Sequence, residues 1–167
     1  MMRKQILVVD DMPDWRGLLE DILNREYEVK TVDSYEAALE IVRKQEAELV
    51  IVDLRLSPTD ETDRRGMELL ERLAEVKINA IVLTGYPEDD IQQECEEKYK
   101  VFDFIDKGKM AGNMQLIRKV VQKAFSLLEN NEREKSKIIQ EARSGAPVIF
   151  DEKTQSAWPL RKFLKDK

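Results

Sequence analysis

Three carboxylates, a hydroxyl and an amine stand at the ends of short apolar runs in this chain. Asp10 and Asp11 follow ILVV at 6–9, Asp53 follows LVIV at 49–52, Thr84 follows AIVL at 80–83, and Lys107 follows FDFID at 102–106. If the runs are strands of one parallel sheet, all five residues come to its carboxyl edge, where such sheets bind ligands. Three close carboxylates repel one another or take up protons, and a hard divalent ion with oxygen ligands resolves that conflict, which points to Mg2+. A carboxylate nucleophile beside a metal, an amine and a hydroxyl is what phosphoryl transfer to an aspartate requires. Its transition state is stabilised mainly by positive charge on the phosphoryl oxygens. Asp53 is the candidate nucleophile.

Composition removes the competing chemistries. With no histidine in 167 residues, Ser-His-Asp and Cys-His catalysis, HExxH metal sites and a phosphohistidine on this chain are excluded. A single cysteine, Cys95, allows neither an intramolecular disulfide nor a cysteine-based zinc site, which fits a reducing cytoplasm. The 28 basic and 34 acidic residues leave a net charge of -6, unsuited to direct nucleic-acid binding, which depends on surplus Lys and Arg. The basic start leads into an apolar run stopped by Asp10 and Asp11, too short for a signal peptide or a membrane span. A soluble, cytoplasmic protein is expected.

The elements that must position the five residues follow from periodicity. Val- and Ile-rich runs at 6–9, 29–32, 49–52, 80–83 and 102–105 alternate with segments of helical spacing at 15–23, 38–42, 67–74, 91–99 and 116–128. Strands that are apolar throughout, joined by helical crossovers, form a parallel sheet covered on both faces. The fold class is therefore doubly wound α/β with five parallel strands. Strand order 2-1-3-4-5 would make the first and third strands neighbours at the topological switch point and bring Asp10, Asp11 and Asp53 into one crevice.

Three segments fall outside that scheme. Residues 55–65 form a long polar connection with Pro58 and the run Asp60, Glu61, Thr62 and Asp63, expected to be exposed and mobile. The last helix is expected to continue through 129–143, because no breaker occurs before Gly145 and Pro147. Beyond it, the tail at 144–167 carries Val148, Ile149, Phe150, Trp158, Leu160, Phe163 and Leu164, too apolar for a plain disordered tail, and is expected to dock. The domain reading is a main unit at 1–128, a helical extension at 129–143 and a tail at 144–167.

VVDDMP, IVDLRL, LTGYP and DFIDK together resemble the motifs of two-component response regulator receiver domains, over about residues 4–127. The resemblance implies a flavodoxin-like fold in which Asp53 accepts a phosphoryl group from the phosphohistidine of a histidine kinase or phosphotransfer protein. It implies Mg2+ held by Asp11 directly, Asp10 through water, Asp53, and Arg55 through its backbone carbonyl. Thr84 and Lys107 would contact the phosphoryl oxygens, and Thr84 and Phe104 would act as the switch pair. It also implies a chain that catalyses only its own phosphorylation and dephosphorylation and passes the signal to a protein partner. The helical extension and tail would report that change by release from the receiver or through a homodimer contact.

Two departures from the family stand out. Gly108 follows Lys107 where the family usually has a proline after a cis bond; a cis non-proline bond costs about 2.5–4 kcal/mol, so the bond is expected to be either strained or trans. The 55–65 connection is also longer than the family's. These departures are the basis of an alternative, a receiver-like binding module that works without phosphorylation. A haloacid-dehalogenase type of phosphatase would need a second carboxylate two residues after the nucleophile, and that position is Arg55. Tyr86 reads as a surface aromatic, and Cys95 as a half-buried packing residue.

Overall fold

The structure is a computed structural model; it describes residues 2–145, and beyond them the backbone of 148–151 and 156–159. Two compact units are present, Met1–Val120 and Val121–Lys167. In the first, five parallel strands, β1 (Gln5–Val9), β2 (Glu28–Val32), β3 (Leu49–Val52), β4 (Asn79–Thr84) and β5 (Asp103–Asp106), lie in the order β2-β1-β3-β4-β5. The crossovers contain α1 (Pro13–Leu23), α2 (Tyr35–Arg43), α3 (Arg65–Glu75) and α4 (Asp89–Glu97). The doubly wound sheet and its expected strand order are both present.

The three central strands are apolar at 6–9, 49–52 and 80–83 because both faces are covered there. Leu7, Val9, Val50, Val52, Ala80 and Val82 point to one face and join Ala38 and Val42 of α2 and Met67, Leu69, Leu70 and Leu73 of α3 in a buried cluster. The alternate residues Ile6, Val8, Leu49, Ile51, Ile81 and Leu83 are equally buried, on the face where α1 contributes Leu19 and Leu23. Burying each such side chain stabilises the fold by about 1.5–3 kcal/mol, so the sheet is a rigid platform for whatever sits on its edge. The outer strand β2 is only half-buried, and there Lys30 pairs with Glu46 at 2.6 Å.

A short helix absent from the periodicity reading, α5 (Lys107–Ala111), begins directly after β5. Asp106 caps it by accepting from the Gly108 N–H at 2.7 Å. No peptide bond among the described residues is cis, so of the two expectations for Lys107–Gly108 the trans one holds. The last helix, α6 (Gln115–Arg143), runs unbroken for 29 residues, as its lack of breakers required. Two residues past its end stands Gly145, whose φ of 82° is the left-handed conformation that glycine adopts most readily after a helix.

In the second unit, β6 (Val148–Asp151) and β7 (Ser156–Pro159) pair antiparallel. The expectation that the tail docks rests on side chains outside the described residues. No helix among the described residues is long and apolar enough to cross a membrane.

One glycine is set by close approach. A Cβ on Gly66, in the first turn of α3, would collide with the backbone of Asp53 and Leu54. Gly66→Ala should therefore destabilise the protein by about 1–3 kcal/mol through overpacking. Urea unfolding of the variant against wild type measures this, and an unchanged midpoint would show that α3 can retreat from the strand end at no cost.

Candidate functional site

Asp10 and Asp53 each sit one residue past the end of a strand, yet the sheet's hydrogen bonding still holds them. The Asp53 N–H donates to the Val9 carbonyl at 2.9 Å and the Asp10 N–H to the Val32 carbonyl at 3.2 Å. The backbone of both acids is thus part of the platform. Asp11 starts the turn into α1, and one carboxylate oxygen from each of Asp10, Asp11 and Asp53 lies within 4.8 Å of the others. The switch point between β1 and β3 brings the three acids together as strand order required.

Lys107 projects into this cluster from the far side of the sheet edge. Its ammonium lies 2.6 Å from Asp10 Oδ2 and 2.7 Å from Asp53 Oδ2, with all three side chains 7% exposed or less. At that depth, pairing decides whether an ion can be tolerated. Burial pushes the carboxyl groups of both Asp10 and Asp53 above the ordinary aspartate range, outweighing the opposing pull of Lys107. One ammonium does not satisfy three carboxylates. The donor set, hard oxygens gathered around one point with a surplus of negative charge, fits a divalent ion of the Mg2+ type.

Thr84 is the last residue of β4 and fully buried, and its hydroxyl oxygen accepts from the Tyr86 N–H at 3.2 Å. The β4–β5 register pairs Thr84 with Asp106, the residue before Lys107, so hydroxyl and amine leave adjacent strands at the same level. Phe104 pairs with Val82 two residues earlier and is partly buried against the core. The Arg55 N–H donates to Asp53 Oδ1 at 3.4 Å, while its guanidinium lies 4.0 Å from the centroid of the Tyr86 ring. Tyr86 is exposed, as its reading as a surface aromatic had it, with Arg55 stacked on it.

The response regulator receiver domain family matches residues 6–122 of the chain. The chain belongs to that family. Among its relatives, sporulation initiation phosphotransferase F of Bacillus subtilis (strain 168) is 35% identical over 100 residues, 58% of this chain and 77% of that protein. Of solved receivers, the response regulator protein TrrA of Thermotoga maritima, in complex with Mg(2+)-BeF, is 26% identical with a TM-score of 0.52, covering 70% of this chain and 98% of its own. The Vibrio cholerae chemotaxis protein CheY4 shares the fold, with a TM-score of 0.61 at 20% identity, covering 74% of this chain and 98% of its own.

Within this receiver, sequence reasoning overlooked three contributors. Trp15, read as one of the apolar helix positions, has its ring 5.0 Å from the Lys107 ammonium. The signal was its position four residues after Asp11, in the first turn of α1 and so at the same sheet edge. Arg16 donates to the Asp10 carbonyl at 2.7 Å. Asp63, lost in an acidic run, has a side chain only 4% exposed. It accepts from the Leu56 N–H at 2.7 Å, the Arg65 N–H at 3.1 Å and Arg65 Nε at 2.9 Å. The 55–65 connection, expected to be exposed and mobile, is therefore exposed at 58–62 but tied at its base, with Leu54 and Leu56 buried. Cys95 also differs from expectation. It is fully buried, donates to Met67 Sδ at 3.7 Å, and burial pushes its thiol up to about 11, far from the reactive range.

Burial acts upward on the Asp63 carboxyl, but the hydrogen bonds from Arg65 and Leu56 outweigh it and hold the group below its ordinary value of 3.8. A folded-state value below the unfolded one adds stability that is present above the unfolded value and disappears as pH falls through the folded one. Asp63→Ala should cost about 1–3 kcal/mol at neutral pH, because buried donors lose their acceptor. The gap from wild type should narrow as pH falls below about 4, toward the folded-state value. Urea titrations across that range check both statements; a gap independent of pH would assign the loss to packing alone.

Proposed function

We propose that this chain is a phosphorylation-controlled switch in which Asp53 accepts a phosphoryl group from the phosphohistidine of a histidine kinase or phosphotransfer protein. The observation that carries this reading is the buried Lys107 ammonium held on both Asp10 and Asp53 at the switch point of the sheet, with the Thr84 hydroxyl leaving the next strand. Family membership and the likeness to a protein named a phosphotransferase support it.

In this reading an Asp53 oxygen attacks phosphorus, the phosphorus–nitrogen bond of the donor breaks, and its electron pair returns to the imidazole. Lys107, already on that carboxylate, exchanges one carboxylate partner for a phosphoryl oxygen. Thr84 donates its hydroxyl to another. Asp11, Asp10, Asp53 and the Arg55 backbone carbonyl would hold Mg2+, which when bound supplies positive charge to the phosphoryl oxygens. The likeness to a receiver solved with Mg(2+)-BeF is in keeping with that assignment. No separate substrate is turned over; the acyl phosphate is the signal.

The receiver, assigned to 1–128, would act in the cytoplasm and pass its state to a protein partner through changes around Thr84 and Phe104. The extension at 129–143 and the tail at 144–167 would report that state by release or by a homodimer contact. Nucleic acid is no direct target, given the acidic charge balance.

Incubation with acetyl phosphate and Mg2+ should add one phosphoryl group to the wild type, labile to hydroxylamine, and none to Asp53→Asn. Intact mass and a panel of candidate kinases check this. A wild type unmodified by every donor, or an Asp53→Asn protein modified equally, would sink the reading.

A further inference from the structure

Lys107 carries its charge at the end of a long flexible stem, which by itself would allow the ammonium many positions. Two of its three N–H groups go to Asp10 Oδ2 at 2.6 Å and Asp53 Oδ2 at 2.7 Å. The third meets no oxygen acceptor among the described residues, and at 6% exposure Lys107 has little access to water. The ammonium also lies over the ring of Trp15, the centroid 5.0 Å from the nitrogen. An indole face is the strongest aromatic partner for a cation, and the attraction grows when water is kept out.

Trp15 is itself tethered to the acid that the lysine grips. The Met12 N–H donates to Asp10 Oδ1 at 2.9 Å, Arg16 Nη1 donates to the Asp10 carbonyl at 2.7 Å, and the Arg16 N–H donates to the Met12 carbonyl at 3.2 Å. The first turn of α1 is thus locked to Asp10 on both sides of Trp15. The backbone that carries the indole is therefore fixed relative to Asp10.

We propose that Trp15 is a positioning residue for phosphoryl transfer, its indole face holding the Lys107 ammonium on the Asp10 and Asp53 carboxylates. The proposal rests on Asp53 being the phosphoacceptor. A tryptophan that merely fills space beside α1 would tolerate a large aliphatic replacement at the site and show no dependence on Lys107.

The test uses the full chain with Trp158→Phe, so that Trp15 is the sole indole of the two. Emission from Trp15 should shift when Lys107 is replaced in K107A, a comparison that needs no phosphorylation; an unchanged spectrum would overturn the contact. With acetyl phosphate and Mg2+, W15L should label about tenfold more slowly than the Trp158→Phe parent, and W15F should recover most of that rate. In a K107A background W15L should cause no further slowing. Equal rates for W15F and W15L, or losses that multiply with K107A, would overturn the positioning role. If the parent is labelled by no donor while the emission shift persists, the phosphoacceptor reading fails and with it the catalytic purpose of the contact, which itself would stand.

Discussion

A crevice that gathers three carboxylates around one buried ammonium is not electrically complete. When all are ionised, three acids against Lys107 leave two negative charges over, in a place where Asp10, Asp53 and Lys107 are almost closed to water. Inside a protein such an excess is strongly unfavourable, and it has few outlets: protonation, rearrangement, or the arrival of positive charge. Burial pushes the Asp10 and Asp53 carboxyl groups upward, in the direction of the first outlet, with repulsion between the acids adding a smaller push the same way. A divalent ion would supply the last, and in the proposed switch a phosphoryl group on Asp53 would then give Lys107 and Thr84 something to hold. The switch reading depends on this imbalance being kept in place by the fold.

The fold keeps it by fixing backbone rather than side chains. Asp10 and Asp53 continue the hydrogen bonding of β2, β1 and β3 past the strand ends, Gly66 lets α3 press against the Asp53 peptide, and Asp63 ties down the long connection that follows it. On the other side, α5 starts at Lys107 itself, with Asp106 as its cap. A helix begins there, where the family usually has a proline, and Lys107 still reaches both acids. With Gly108 in place of proline, a trans bond leads directly into a helical turn and leaves the Lys107 ammonium on Asp10 and Asp53.

Much of this was legible before any coordinates. Runs such as LVIV at 49–52 are too apolar for a sheet with a wet face, so parallel strands followed, and strand order then put Asp10, Asp11 and Asp53 together. Features carried by single long-range contacts were not legible. Trp15 obeys the helical period of α1, and nothing local separates an indole packed on the core from one packed on an ammonium. Asp63 is one of three acids within four residues, and only the fold reveals that its side chain turns inward. At five residues, α5 is too short for periodicity to register. Cys95 was placed correctly on its helix, but one turn of spacing does not tell half-burial from the full burial it has against Met67.

If the acidic crevice is held in electrostatic tension, a divalent ion should relieve it, and the free energy of unfolding with and without Mg2+, in wild type and in Asp53→Asn, measures that relief. Without Mg2+, removing one buried charge should leave the variant at least as stable as wild type near neutral pH, because an acid whose folded value is raised lowers stability once ionised. At about ten times the dissociation constant, Mg2+ should stabilise wild type by about 1.4 kcal/mol, and it should stabilise the variant much less. Equal Mg2+ stabilisation of both proteins, or none in wild type, would contradict the account.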